Sequence, residues 1–225
     1  MASWMVHLRI ADKLLDKIGN LDACAFILGN LAPDSGVPNE DWSVFTPSTN
    51  VSHFKSKVDG KDKIDIERFT REYFTKEQIE NYEKQEYSFF LGYYVHLLTD
   101  IAWGKMVKAG GMTRENAEKE KMPYRDFVNK NKEDWYDLDF LYLEEHPDFR
   151  AFRMYEEAED VTNVYLETFP KDAFENRREY ICGFYHSDEH GELHREYRYL
   201  TKEKVEQFVE EVAEEIPFLT RTVVR

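Results

Sequence analysis

Glu86-Tyr-Ser-Phe-Phe-Leu-Gly-Tyr-Tyr-Val-His-Leu-Leu-Thr-Asp-Ile-Ala-Trp103 is apolar on nearly every side, so a helix made from it must be surrounded by other helices. Within it stand His96 and Asp100, four residues apart, which sets an imidazole and a carboxylate on one face, one turn above the other. Gly92 and Gly104 fall on the same row and leave two places where another group can come close. The plainer account is a buried His–Asp pair satisfied by its own hydrogen bonds. A metal site is the alternative, and it requires ligands from elsewhere. The stretch predicts an all-α fold, a single multi-helix domain over residues 1–225 built around this central helix.

Upstream, Ile10, Ala11, Leu14, Leu15 and Ile18 recur at helical steps from Ser3 to a stop at Gly19-Asn20, and His7 lies on that apolar stripe, facing the core. A lone core histidine is ordinarily hydrogen-bonded and idle. A second helix over Leu21–Leu28 is closed by Gly29-Asn30 and Pro33, and Asp34 follows at a turn, where aspartate is common on conformational grounds alone. Residues 35–52, with Pro38, Pro47, Trp42 and Phe45, read as a long loop, of a length that is often functional. The loop ends in Ser52-His53-Phe54.

After a charged turn at Lys57–Lys63, helices are predicted over Ile64–Phe74 and from Thr75 into the central one, then from a Thr113 cap toward Lys121. Pro123–Leu143, rich in aromatic and acidic residues, is expected to cover one side of the site. Further helices are predicted near Phe149–Glu157, Lys171–Tyr185 and Thr201–Glu215. His186, His190 and His194 have the spacing of a helical metal ladder, but Gly191 and polar neighbours describe an exposed turn. Glu210-Glu211 and Glu214-Glu215 read as a solvated helix face.

The chain carries 45 acidic and 30 basic residues, a net charge of −15. That sign opposes non-specific attraction to duplex nucleic acid or an anionic bilayer, so no stable nucleic-acid partner is expected. Cys24 and Cys182 lie far apart with no CxxC partner, which indicates neither a disulfide framework nor a thiolate zinc site. They read as small buried residues of a reducing compartment. No run reaches the roughly 18 apolar residues of a membrane span, and Met1–His7 has neither a basic segment nor a cleavage site. The expectation is a soluble, cytoplasmic protein.

His7, Asp34, His53, His96 and Asp100 thus stand out, and imidazole nitrogen with carboxylate oxygen suits zinc or another borderline divalent ion when no thiolate is at hand. Val6-His-Leu-Arg-Ile-Ala-Asp-Lys-Leu-Leu15, Leu31-Ala-Pro-Asp34, Ser52-His-Phe54 and Phe89-Phe-Leu-Gly-Tyr-Tyr-Val-His-Leu-Leu-Thr-Asp100 resemble, in order, the bacterial zinc-dependent phospholipase C family, whose fold is shared with fungal single-strand-specific nucleases. The resemblance implies that Asp34, His53, His96 and Asp100 bind one zinc and that Asp100 is shared with a second, which His7 also binds. It covers the first half of the chain.

Two departures accompany the resemblance. Extracellular members bind the second zinc partly through the backbone of an N-terminal tryptophan, whereas Trp4 here follows Met1-Ala2-Ser3. A third zinc site in the family uses a histidine soon after the Asp100 position and a later His-xxx-Glu pair. Here Ile101-Ala-Trp-Gly-Lys-Met106 follows Asp100 and no such pair comes later, so a third ion is not expected. The second site has Asp137 and Asp139 as candidate further ligands.

The reading is a metal-dependent phosphoesterase with Asp34 and Asp100 as catalytic residues, acting on a small phosphoester, most simply a phosphodiester. It expects one tight zinc ion and at most one weaker one. The alternative is a non-catalytic, metal-stabilised binding or regulatory protein.

Overall fold

The computed structural model describes residues 1–41, 43–221 and 223; Trp42 lies outside them. The central helix, α6, runs Lys84–Ala109 and buries residues on every side, from Tyr87 through His96 and Asp100 to Trp103 and Val107. Its neighbours are α1 (Trp4–Lys17), α2 (Ala23–Leu31), α4 (Ile66–Tyr73) and α11 (Lys202–Leu219). The all-α expectation holds. The described strands form two small antiparallel pairs, β1 (Val37–Pro38) with β2 (Phe45–Thr46) and β3 (Lys55–Val58) with β4 (Lys61–Ile64).

Local chemistry sets the element ends. Ser3 caps α1 by accepting from Val6 N, Asp22 caps α2 through Ala25 N at 2.9 Å, and Thr113 caps α7 (Arg114–Lys119) through Asn116 N, each side chain satisfying a backbone donor that the helix leaves free. The predicted charged turn over Lys57–Lys63 is the β3–β4 hairpin. Asp59 and Gly60 have φ of 51° and 73°, the paired left-handed residues of a tight two-residue connection. The loop over residues 35–52 carries β1, β2 and a short helix α3 (Thr49–Ser52).

Helices α2 and α6 approach unusually closely. A Cβ on Gly29 would lie 2.0 Å from the Phe89 carbonyl oxygen, and one on Gly92 would lie 2.1 Å from that of Phe26, so both positions require glycine. Gly104 meets nothing within 4 Å and is exposed, so only one of the two expected approach points on the row is used. Farther along α6, the buried Trp103 ring meets Trp135 edge-on at 5.2 Å and Phe208 at 5.1 Å, joining α8 (Tyr124–Glu145) and α11 to the core. Rings of this size dominate the burial energy of such a core.

The segment from Thr75, expected to lead into the central helix, forms a separate helix α5 (Lys76–Asn81) that ends at Tyr82 before α6 begins, and the remaining predicted helices are α9 (Arg150–Glu156) and α10 (Ala173–Tyr185). Glu210 and Glu214 are exposed but pair with Lys13 and Lys17 of α1. Both cysteines are free and only half-buried, more open than their reading as core residues. Among the described residues no helix is long and apolar enough to cross a membrane.

Candidate metal centre

Four separate elements deliver the five residues singled out by sequence to one place. His7 comes from the core face of α1, Asp34 from the short 3₁₀ turn Ala32–Asp34 after α2, His53 from the residue closing α3, and His96 with Asp100 from α6. His53 Nε2 lies 3.3 Å from Asp34 Oδ1, 3.6 Å from Asp100 Oδ2 and 3.3 Å from His96 Nε2. His96 Nε2 is 3.8 Å from Asp100 Oδ2, and His7 Nε2 is 3.4 Å from Asp100 Oδ1. Ligand atoms about 2.0–2.1 Å from a zinc ion at tetrahedral angles sit roughly 3.3 Å apart. The spacing around His53 and His96 therefore fits such an ion, and Asp34, His53 and His96 form one group that could hold it, His7, His96 and Asp100 another.

The surrounding hydrogen bonds aim these side chains. His96 Nδ1 donates to the Asn30 carbonyl at 2.7 Å, which leaves the Nε2 lone pair directed into the cluster. Asn30 is held in turn by its amide, which donates to the Gly92 carbonyl at 3.2 Å, so the glycine contact between α2 and α6 sets the orientation of His96. His53 Nδ1 meets Ser52 Oγ at 2.9 Å, and the Ser52 carbonyl accepts from the buried Tyr93 hydroxyl. Neither ring nitrogen of His7 nor Oδ2 of Asp100 hydrogen-bonds within the described protein. Buried polar atoms left this way are rare because desolvation goes uncompensated, and two of the three, His7 Nε2 and Asp100 Oδ2, face other members of the cluster.

Protonation matches a cation. Burial, with His7 close by, lowers His96 to about 3, so its imidazole is neutral near pH 7. Burial disfavours charge on Asp34 and Asp100, but the hydrogen bond from His53 and the neighbouring imidazoles outweigh it for Asp34, as contact with His7 does for Asp100. Both carboxyls are held below the usual carboxylate range. Ionised Asp34 and Asp100 and a neutral His96 are the forms of these groups that ligate a divalent ion.

Asp34 and His53 open onto a cavity of about 230 Å³ walled by Trp4, Phe45, Pro47, Trp135 and Tyr136. The other three ligand candidates lie beneath it. The expectation that the Pro123–Leu143 segment covers one side of the site holds, through α8. Asp137 and Asp139 do not reach the cluster as candidate ligands. Asp137 accepts from Gly191 N and Arg195 Nη2, both at 2.8 Å, while Asp139 accepts from Ser3 Oγ and Tyr185 OH, also at 2.8 Å.

The histidine ladder dissolves into three exposed contacts: His186 with Glu156, His190 against the Phe140 ring, and His194 with Glu144 at 2.8 Å. Asn30 and Ser52 were not legible as site residues. In sequence Asn30 is indistinguishable from a helix stop, and Ser52 from a loop residue.

In an all-helical protein, a buried cluster of two carboxylates and three imidazoles beside a small cavity has the donor set of a metal-binding site. The model of one family, zinc dependent phospholipase C, matches residues 6–214 of the chain's 225. The chain belongs to that family. No curated protein and no solved structure matches it. Family membership and the His/Asp groups together support a metal-dependent, phospholipase-like function.

Proposed function

We propose that the protein is a zinc-dependent phosphoesterase that hydrolyses a small phosphodiester, with Asp34, His53, His96 and Asp100 holding one ion tightly and His7 with Asp100 holding a second weakly. The observation that carries this reading is the convergence of two ionised carboxylates and three imidazoles, at zinc-like spacing, beside a cavity that Asp34 and His53 line. When bound, a divalent ion supplies Lewis acidity to a phosphoryl oxygen and acidifies a water molecule. Were Asp34 held only loosely by the ion, its carboxylate at the cavity surface could instead take a proton from a water entering that space. Asp100 faces His7 with Oδ1 and His53 with Oδ2, so its carboxylate can bridge the two proposed ions. The aromatic walls exclude bulk water and strengthen each electrostatic contact inside.

A purely structural metal site is closed off by its protein ligands, whereas a catalytic one keeps an accessible side. The exposure of Asp34 and His53 to the cavity favours catalysis over the non-catalytic alternative. The test is hydrolysis of bis-p-nitrophenyl phosphate by protein purified without added metal, before and after EDTA and with zinc returned. Turnover should require the metal and vanish in Asp100→Asn, which keeps the shape of the side chain and removes its charge. Turnover that survives either treatment would refute the assignment.

A further inference from the structure

In a chain with 45 acidic and 30 basic residues, the cavity above the metal cluster has the opposite balance. Its charged side chains are Asp34, Lys132 and Arg177. Several cations elsewhere are matched by carboxylates, among them Lys13 with Glu210, Arg150 with Asp12 and Asp16, and Arg195 with Asp134 and Asp137. Lys132 is half-buried and makes no hydrogen bond or ion pair among the described residues. Arg177 is buried, donates from Nη2 to the Gly36 carbonyl at 2.8 Å and faces the Tyr180 ring at 5.4 Å. No carboxylate pairs with it among the described residues.

Lys132 shares a helical row of α8 with Trp135 and Tyr136, at steps of three and four, and all three line the cavity. Arg177 reaches it from α10. Two cations from different helices that line one cavity without carboxylate partners, one of them buried, are suited to hold an anion there.

We propose that Lys132 and Arg177 form the phosphate-binding pair of this site, taking the ionised oxygens of a phosphoryl group whose reacting face is turned toward Asp34 and His53. This assignment rests on the phosphoesterase reading and deepens it. Lys132 supplies a mobile point charge and Arg177 a fixed fork of N–H donors. One donor of that fork is spent on the loop just after Asp34, which couples the anion site to the metal floor. The pair selects esters that carry a negative charge at the reacting group and disfavours neutral carboxylic esters. It also supplies attraction at short range in a molecule whose overall field repels anions.

The probe is inorganic phosphate, titrated calorimetrically into the full chain with zinc present. Wild type should bind phosphate saturably, and Lys132→Ala should weaken that binding about tenfold or more, the range of a charge-assisted hydrogen bond. KM for bis-p-nitrophenyl phosphate should rise in step while zinc content and melting temperature stay unchanged, and Lys132→Arg should recover most of the affinity. Arg177→Gln should weaken phosphate as well, with its melting temperature reporting any loss of the Gly36 tether.

Absence of phosphate binding in the wild type overturns the proposal, and so does affinity indifferent to both substitutions. If the wild type turns over with metal but phosphate affinity ignores Lys132 and Arg177, only the pair fails. If phosphate binding depends on Lys132 but no metal-dependent hydrolysis occurs, the pair stands and the phosphoesterase reading fails.

Discussion

At the scale of single residues, the centre depends on which nitrogen of each imidazole is left free. His96 gives Nδ1 to Asn30 and keeps Nε2 for the cluster, so His96→Ala should remove the ion and the stabilisation that its binding confers. The melting temperature should fall, and EDTA should lower it no further. A chelator effect of wild-type size in that variant would place the metal elsewhere.

Asp139 permits a separate test away from the ligands. Burial raises its carboxyl to about 7, against the hydrogen bonds from Tyr185 and Ser3. The native state therefore keeps a proton that the unfolded chain, with an ordinary carboxyl near 3.8, has released. Stability from this group is fully present below pH 4 and is lost as pH rises toward 7, by at most about 4 kcal/mol. In metal-free protein, Asp139→Asn should flatten the decline in stability between pH 5 and about 8. An unchanged slope in urea denaturation would show that another group carries it.

Among the elements, the pairing of α2 with α6 has the largest consequence, because it carries Asn30 to His96. Gly92→Ala would push a methyl group into the backbone of Phe26 and should cost about 3 kcal/mol or more, since overpacking against a main chain cannot be relieved by a rotamer change. Gly104→Ala, on the same helix with nothing within 4 Å, should be neutral or stabilise by roughly 0.5–1 kcal/mol through helix propensity. Thermal melts of the two variants measure the contrast, and equal shifts would mean that the helices are not held at backbone contact.

Periodicity exposed the central helix and its neighbours because an all-round apolar run has few other folds open to it. It left the glycine row ambiguous, since nothing in Gly92 or Gly104 tells which one meets a helix. The Asp59-Gly60 hairpin was hidden for another reason. Its strands, Lys55–Val58 and Lys61–Ile64, are mostly polar and exposed, and without a buried face they lack the alternation that marks a strand. Lys132 and Arg177 were equally silent, because a cation earns attention only when the fold shows that its usual partner is missing.

For the molecule as a whole, one buried cluster reaches from Met5 in α1 to Ile216 in α11. We infer from it a single cooperative unit, which urea denaturation should report as one transition by fluorescence and circular dichroism alike; two separated transitions would divide the chain. The candidate metal centre draws on α1, the turn after α2, α3 and α6, so the number of ions it could hold depends on how the whole fold brings these elements together. In the proposed assignment the first ion draws on Asp34, His53 and His96, which form one mutual group, with Asp100 Oδ2 at 3.6 Å from His53 completing it. A second has His7 and Asp100 Oδ1, but Oδ1 already accepts from the Ala2 backbone N–H at 2.7 Å, and Asp137 and Asp139 are engaged elsewhere. Each missing or shared ligand lowers affinity. Elemental analysis after gel filtration should therefore find close to one zinc per chain, with a second retained only at raised zinc concentration. His7→Ala should leave the first ion in place and reduce hydrolysis of bis-p-nitrophenyl phosphate at least tenfold, the order of effect expected for losing a charge-stabilising contact in the transition state. Loss of all metal in His7→Ala, or three ions that survive gel filtration, would show that the ligands are partitioned differently.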